Sequence, residues 1–153
     1  MPAFTAHLVA PDQVRMLYPL VREAVAGLDL RTWVAFARRI ALPRRTAQCG
    51  IIAVTRRGRS LPCGMFLYRC EKRLPEGAAL VAEHFVALDV IDPQPVVDAL
   101  IEELDALARR RGCTTIRVLV PGDASLLQSG LQAAGLRPRG LALCRPVAAG
   151  QAA

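Results

Sequence analysis

The feature that most constrains the fold is an apolar stretch that leads into an amphipathic helix. The apolar stretch covers residues 80–90, and the helix pattern covers residues 93–111. Apolar residues recur in that helix with a period near 3.6, while acids and arginines occupy its other face. Gly112 follows as a C-terminal stop. A strand followed by such a helix predicts a sheet with this helix packed on one face.

Upstream of this unit the sequence predicts three strands and two helices. They are a strand at residues 4–9, a helix that starts at Pro11-Asp12 and is ended by Gly27, a helix capped by Asp29 that stops before Pro43, a loop at 43–48, and strands at 50–55 and 63–72. Short turns separate the strands at 50–55, 63–72 and 80–90, so two antiparallel hairpins are expected.

Downstream of Gly112 the sequence predicts two strands around a helix. These are a strand at residues 114–120, a helix capped by Asp123 that runs through Leu131 to Ala134, and a last strand at 140–147. The order β-α-α-β-β-β-α-β-α-β, with no internal repeat, predicts a mixed α/β sheet with helices on both faces. We expect a single domain over residues 1–153, in which 148–153 form a flexible tail.

The net charge of +7 comes almost entirely from arginine, because Lys72 is the only lysine. A basic chain can bind nucleic acid or acidic ligands. Here the arginines are scattered and aromatic residues make up only 5% of the chain, too few for a base-stacking platform. A compositional bias toward arginine is therefore the favoured explanation, and nucleic-acid binding is not favoured.

Membrane insertion and metal binding are also disfavoured by the sequence. No apolar run approaches the roughly 20 residues that span a bilayer, and the N-terminal residues lack the pattern of a signal peptide. The five cysteines show no CxxC spacing, and two histidines are too few for a zinc pattern. We expect a cytoplasmic protein with reduced thiols and no metal.

The junction between the strand and the helix reads Asp92-Pro93-Gln94-Pro95-Val96-Val97. A helix start after a strand commonly binds anions through free N–H groups and the helix dipole. Here two prolines remove two N–H groups, and the Asp92 carboxylate can accept others. Asp92 and Pro93 can be read as an N-cap and first-turn pair, or as part of an altered phosphate site that uses the N–H groups of Gln94, Val96 and Val97.

Two passages resemble the Gcn5-related N-acetyltransferase (GNAT) superfamily. Residues 104–116, LDALARRRGCTTI, resemble the third helix and fifth strand of the family, and residues 131–140, LQAAGLRPRG, resemble its closing helix-to-strand passage. The order of elements agrees from about Phe4 to Val147. The resemblance implies the acyl-CoA N-acyltransferase fold.

The resemblance also implies a site for acetyl-CoA or another acyl-CoA. In the family the pantetheine arm enters between the fourth and fifth strands, here beside Ala87. The pyrophosphate lies at the start of the third helix, on the pattern Gln/Arg-x-x-Gly-x-Gly/Ala. That pattern falls on residues 92–97, where none of its three defining positions matches. The implied cofactor-binding residues are Ala87, Gln94, Val96 and Val97.

Catalysis by such a protein requires a deprotonated amine and a protonated leaving thiolate. Glu83 and His84 on the fourth strand are the candidate general bases, and each could instead be an ordinary sheet residue. Strand alternation predicts that only one of them faces the cleft, with Glu83 on the face of Phe85. Leu131 occupies the position of the tyrosine that supplies a proton in many family members, and Tyr18 and Tyr68 lie elsewhere.

The resemblance implies an N-acyltransferase that acylates an amine of a small molecule or peptide. Trp33 and Phe36 could line the acceptor pocket, although their helical spacing also fits core packing. The alternative is a non-catalytic domain of the same fold that binds a protein partner or a small ligand. A homodimer is one form that such binding could take.

Overall fold

The computed structural model describes residues 3–150 as a sheet with helices on both faces. The strands are β1 (Phe4–Leu8), β2 (Cys49–Arg56), β3 (Pro62–Arg73), β4 (Gly77–Ala87) and β5 (Thr115–Val118). The α-helices are α1 (Tyr18–Ala24), α2 (Leu30–Ile40), α3 (Gln94–Arg110) and α4 (Ser125–Ala133), and 3-10 helices cover Pro11–Leu17 and Pro43–Arg45.

The five strands lie in the order β1-β2-β3-β4-β5. Strands β1 to β4 are antiparallel to their neighbours, whereas β5 pairs with β4 in parallel after the crossover through α3. The predicted mixed α/β sheet and its two antiparallel hairpins are therefore confirmed. No helix within residues 3–150 has the length and apolar character needed to cross a bilayer.

Each face of the sheet has its own apolar core. The helices α1 and α2 cover one face, where Leu17, Trp33 and Val86 are buried together. Helix α3 covers the other face with its predicted apolar stripe, and it approaches β3 closely at Gly64. A Cβ atom at Gly64 would lie 2.8 Å from a methyl group of Val96, so this position has room only for glycine.

The first helical region differs from the single helix predicted between Pro11 and Gly27. Its first part, Pro11–Leu17, is a 3-10 helix, and the α-helix begins only at Tyr18. Pro19 lacks the N–H group that an α-helix would donate to the carbonyl of Arg15, and that carbonyl instead accepts from Tyr18. The second helix is as predicted, because Asp29 Oδ1 accepts the N–H of Thr32 at 2.7 Å.

Two predicted boundaries are wrong because of short-range hydrogen bonds. Strand β4 ends at Ala87 rather than at residue 90, since the Asp89 carboxylate accepts two N–H groups of the following residues and turns the chain away. Helix α4 begins at Ser125 with Ala124 as its N-cap, so Asp123 is not the cap. The N–H of Ala124 donates to the carbonyl of Pro121 and closes a turn before the helix.

The predicted last strand at residues 140–147 is absent. Leu141, Leu143 and Val147 are at least 85% exposed, and this segment contains no regular secondary structure. Pro146 cannot donate to a strand ladder, and the three side chains find no apolar surface within residues 3–150. Of the predicted flexible tail at 148–153, residues 148–150 are exposed, and 151–153 lie outside the described residues.

Candidate functional site

The candidate site lies where β4 and β5 separate. Their parallel pairing ends at Ala82 and Val118, with one further hydrogen bond from the N–H of Leu119 to the carbonyl of Ala82. Strand β4 then continues to Ala87, and in the part of the chain that the structure describes its single partner there is β3. The edge of β4 at residues 83–87 therefore has no paired strand within residues 3–150, and we call the space beside this edge the gap. A gap at this place is what the resemblance implies beside Ala87.

A β-bulge interrupts β4 at the start of this gap. Leu67 of β3 pairs with Glu83 and Met65 pairs with Val86, so two residues of β4 lie opposite Phe66. His84 is the bulged residue, with φ at 51° in the left-handed region that non-glycine residues rarely adopt. Strained backbone of this kind persists only where the surrounding structure holds it, and it is concentrated at functional sites.

The bulge overturns the predicted distribution of side chains along β4. Phe85 stacks on Phe66 in the core under α3, with ring centroids 6.0 Å apart, so it does not share a face with Glu83. Glu83 lines a cavity on the α2 side together with Phe36. The His84 ring also lies edge-on to Phe36, at a centroid distance of 6.3 Å. Both candidate bases therefore lie on the α2 side, because the extra residue breaks strict alternation.

The cavity beside Glu83 has a volume of about 230 Å³ and lies between α2, β3 and β4. Phe36 is 45% exposed and forms part of its wall. Trp33, the other predicted lining residue, is 1% exposed and donates its Nε1–H to the carbonyl of Val14 at 2.7 Å. Phe36 is thus exposed at the cavity, whereas Trp33 belongs to the core.

The charged wall of this cavity is an ion-pair chain across β3 and β4. Arg69 donates to Oε1 of Glu83 and to Oε1 of Glu71, and Arg73 donates to the other oxygen of Glu71 at 3.0 Å. The hydrogen bond from Arg69 is the main cause that lowers the pKa of Glu71, and the same bond raises the pKa of Arg69. Arg45 completes the charged lining of the cavity.

The sequence contains no signal for the bulge, since His84 is neither glycine nor proline. The contact between Arg69 and Glu83 could have been inferred, because the turn at residues 74–76 sets Arg73 opposite Gly77. That register brings Arg69 close to Glu83 on the neighbouring strand.

The N–H groups of the loop between β4 and α3 donate to carboxylates of the same loop. Asp89 Oδ1 accepts the N–H groups of Ile91 and Asp92, at 2.8 and 3.1 Å. These backbone bonds are the main cause that lowers the pKa of Asp89. Asp92 Oδ1 in turn accepts the N–H of Gln94 at 3.0 Å. The loop N–H groups that an anion would need as donors are therefore already bonded to carboxylates.

The first turn of α3 offers no further donors. The N–H groups of Val96 and Val97 both donate to the carbonyl of Pro93 at 3.0 Å, and the two side chains are buried in the core. The Gln94 side chain donates to the carbonyl of Gly130 and to Asp98. Each N–H from residue 91 to residue 97 has an acceptor in the chain. A diphosphate would have to displace these bonds beside two carboxylates, so this end of α3 does not fit the diphosphate of CoA.

Neither tyrosine of the chain reaches the gap. Tyr18 donates its hydroxyl to the carbonyl of Leu28, and Tyr68 donates its hydroxyl to the carbonyl of Thr46, both at 2.7 Å. Burial raises the pKa of Tyr68. Leu131, at the position of the family tyrosine, is 4% exposed and packs in the core under α3. A leucine side chain cannot supply a proton.

The chain is similar to known proteins in its fold but not in its sequence. No protein-family profile matches the chain, and no curated protein matches its sequence. The solved structure of the aminoglycoside N-acetyltransferase AAC(6')-Iy in complex with CoA is similar, with a TM-score of 0.78 and 11% identity over 95% of each chain.

Two further structures show the same likeness. The ribosomal-protein-alanine N-acetyltransferase from Brucella melitensis biovar Abortus 2308 has a TM-score of 0.71 and 15% identity over 94% of this chain and 99% of its own. The glucosamine-6-phosphate N-acetyltransferase from Arabidopsis thaliana has a TM-score of 0.70 and 11% identity over 94% and 97%. This chain therefore has the fold of the GNAT N-acetyltransferases, which confirms the predicted fold.

Proposed function

We propose that this chain is an N-acyltransferase of the GNAT superfamily that moves an acyl group from a pantetheine thioester to a primary amine. The observation that carries this proposal is the separation of β4 from β5 after Ala82, directly before the bulge at His84. The free edge at residues 83–87 gives an extended, amide-containing arm a strand to lie against. The likeness to solved N-acetyltransferases supports the same assignment.

Glu83 is the residue we propose as the general base. Its carboxylate lines the cavity on the α2 side, at the point where the free edge of β4 begins. In the reaction the amine nitrogen forms the new N–C bond, the C–S bond breaks, Glu83 takes the amine proton and the thiolate leaves to be protonated. Arg69 holds Oε1 of Glu83 and so fixes the direction of the carboxylate. His84, on the same side, is the second candidate.

The charges of the cavity favour an acceptor that itself carries an anionic group. Arg45, Arg69 and Glu83 line the cavity, and because Arg69 is paired with Glu83 and Glu71, Arg45 is the lining cation outside that ion-pair chain. AAC(6')-Iy has been solved with the bisubstrate analog CoA-S-monomethyl-acetylneamine. A polycationic acceptor would find Glu83 already paired with Arg69 and would be repelled by Arg45, so we propose an amine that bears a carboxylate or phosphate.

The proposed base is tested with the matched pair Glu83→Gln and Glu71→Gln. Both variants remove a carboxylate that is bonded to Arg69, but only Glu83 lines the cavity. Amide formation from acetyl-pantetheine and a panel of amines is followed by mass spectrometry. E83Q should lower kcat by about 10²–10⁴-fold, as expected for loss of a general base, while E71Q should stay within a few-fold of the unsubstituted chain. Equal rates for all three proteins would rule out Glu83.

Acetyl-CoA was the donor implied by the resemblance, and AAC(6')-Iy has been solved with CoA. For this chain we assign donor recognition to the pantetheine arm alone. The start of α3 lacks free N–H donors, and the carboxylates of Asp89 and Asp92 lie there. Acetyl-pantetheine, which carries no phosphate, should therefore bind about as well as acetyl-CoA.

A second candidate function is a non-catalytic domain that binds a protein partner or a small ligand. The burial of Leu131 at the tyrosine position favours it, because the usual proton donor is missing. Thermal unfolding separates the two candidates. A ligand at 100 times its Kd stabilises the folded state by about 2.7 kcal/mol. If neither acetyl-pantetheine nor acetyl-CoA at millimolar concentration raises Tm, the non-catalytic function is the better account.

A further inference from the structure

We propose that the acceptor is a slender amine whose anionic group lies far from its nitrogen, and that Arg45 and Gln48 bind that group. These two residues, which we call the anion end of the cavity, lie across β3 from Glu83. This inference rests on the proposed function, because it concerns the acceptor of the same reaction. It goes further by naming the residues that select the acceptor and the length that the acceptor must have.

The first step of the argument is how the chain builds the anion end. The N–H of Gln48 donates to the carbonyl of Arg45 at 2.8 Å, so the two residues lie at the ends of one turn. Nη1 of Arg45 donates to the carbonyl of Arg39 at 3.2 Å. Sγ of Cys49 donates to the carbonyl of Ile40 at 3.8 Å. These bonds hold the turn against the last turn of α2, beside the cavity that it lines.

The second step is the charge of the anion end. Residues 30–70 contain no aspartate or glutamate, so neither α2, the turn nor β2 brings a carboxylate to it. The carboxylates on the neighbouring strands, Glu71 and Glu83, are both bonded to Arg69. Arg45 forms no ion pair within residues 3–150. Its guanidinium therefore keeps N–H groups and an uncompensated charge for an anionic ligand.

A second guanidinium adds positive charge to the same turn. Nη2 of Arg111, at the end of α3, donates to the carbonyl of Thr46 at 2.9 Å. On the same helix Glu103 is bonded to Arg110 at 3.0 Å, and the exposed carboxylate of Asp105 lies on the outer face. The turn is therefore a place of positive potential that favours an anion over a second ammonium group.

The third step is the distance that the acceptor must span. Glu83 pairs with Leu67 of β3, and Leu67 pairs with Ile51 of β2. Cys49, which begins β2 beside the anion end, lies two residues before Ile51. At about 4.8 Å per strand and about 3.3 Å per residue, Glu83 and Cys49 are about 12 Å apart. A hydrogen bond of about 3 Å at each end leaves about 6 Å or more between the amine nitrogen and the anion.

The fourth step is the shape of the space between the two ends. Its volume of about 230 Å³ is small, and Phe36, Ile40 and Leu67 give it apolar walls. Sites for drug-sized ligands measure roughly 300–1,000 Å³. An aliphatic chain fits such a space, because it buries apolar surface without losing hydrogen bonds to water. The geometry therefore points to amino acids in which several methylenes separate the amine from the carboxylate.

The experiment measures acetylation by acetyl-pantetheine for a series of ω-amino acids and for the alkylamines of matched length. Amino acids with about five to seven methylenes between nitrogen and carboxylate should span the cavity. Their kcat/KM should exceed that of glycine and of the matched alkylamine at least tenfold. Arg45→Gln should lower this kcat/KM about tenfold, through KM rather than kcat, and should remove the preference for the amino acid. The matched control, Arg57→Gln, neutralises an exposed arginine at the other end of β2 and should keep that preference.

The outcomes distinguish this inference from the proposed function. Alkylamines acetylated as fast as amino acids of every length, or equal rates of R45Q and R57Q with aminohexanoate, would overturn the anion end and leave the N-acyltransferase proposal standing. If no amine is acetylated, the proposed function itself fails, and isothermal titration with the same amino acids decides about the anion end. Tighter binding of the longer amino acids that is lost in R45Q would support it, and equal binding at every length, or none, would overturn it.

Discussion

The face under α3 and the free edge of β4 belong to the same part of the sheet, where Gly64 pairs with Ala87, yet they differ sharply in packing. Under α3, Gly64 of β3 lies so close to Val96 that no side chain fits between strand and helix. Beyond Ala82, one edge of β4 has no paired strand among residues 3–150. This part of β4 contains the strained His84 and leads into a loop with two exposed aliphatic residues, Val90 and Ile91. The packed region fixes the scaffold, and the open region is where ligand contact can vary without loss of the fold.

The largest effect is expected in the packed region, for Gly64→Ala. A Cβ there would meet methyl groups of Val96 and Leu100 at 2.8 and 2.9 Å. Overpacking of this kind should lower the free energy of unfolding by about 2–3 kcal/mol. Gly122→Ala is the matched control, since nothing lies within 4 Å of its Cβ, and it should change stability by less than about 1 kcal/mol. Denaturant unfolding measures both, and equal stabilities would show that α3 does not pack closely on β3.

The next effect concerns anion binding at the loop between β4 and α3, whose N–H groups donate to Asp89 and Asp92. Asp89→Asn/Asp92→Asn removes two negative charges but keeps the side-chain oxygens that accept the loop N–H groups. The affinity for inorganic pyrophosphate should rise by about tenfold, which corresponds to about 1.4 kcal/mol. Asp105→Asn, an exposed carboxylate on the outer face of α3, should leave it unchanged. If titration gave the same pyrophosphate affinity for the unsubstituted chain and both variants, the two carboxylates would not be the groups that exclude anions from the loop.

A smaller effect is expected at the bulge. His84→Gly should raise the free energy of unfolding by about 1 kcal/mol, because glycine adopts a positive φ without the strain that a side chain imposes. His7→Gly is the control, since His7 lies in the regular part of β1 and should be destabilised by the same change. Loss of stability in H84G would mean that the contact of the ring with Phe36 outweighs the strain.

The smallest expected effect is a dependence of folding stability on pH. The pKa of Asp89 is lowered in the folded chain by the N–H groups of Ile91 and Asp92. This carboxylate therefore contributes stability above its ordinary value of about 3.9, and the contribution is lost as the pH falls through its lower folded pKa. Unfolding measured at pH 7 and pH 3 should show a smaller acid-induced loss for Asp89→Asn. An identical loss in both proteins would show that the hydrogen bonds to Asp89 do not stabilise the folded chain.

The same contrast explains how much the sequence could predict. The periodicity of α3, the Asp29 cap and the hairpins depend on local patterns, and the structure agrees with them. The bulge has no local signal, because an ordinary histidine takes the left-handed conformation under tertiary constraint. The last strand was predicted from its apolar pattern at residues 140–147, but a strand needs a partner that local sequence does not specify.

The candidate site was predictable only in part. Residues Glu83 and His84 were placed on the right strand, and Gln94, Val96 and Val97 at the start of the right helix. Their roles stay predictions. The sequence did not show on which face of the sheet each side chain lies, and Phe85 and Glu83 lie on different faces. It also did not show that the loop N–H groups have acceptors within the chain.

The most direct test is the set of backbone amide shifts in a nitrogen-15-labelled sample on addition of acetyl-CoA. Occupation of the gap by the pantetheine arm, with no diphosphate at α3, should move the amide signals of residues 83–87 and leave those of Gln94, Val96 and Val97 in place. Acetyl-pantetheine should produce the same pattern. Shifts confined to Gln94, Val96 and Val97, with residues 83–87 unmoved, would contradict the account.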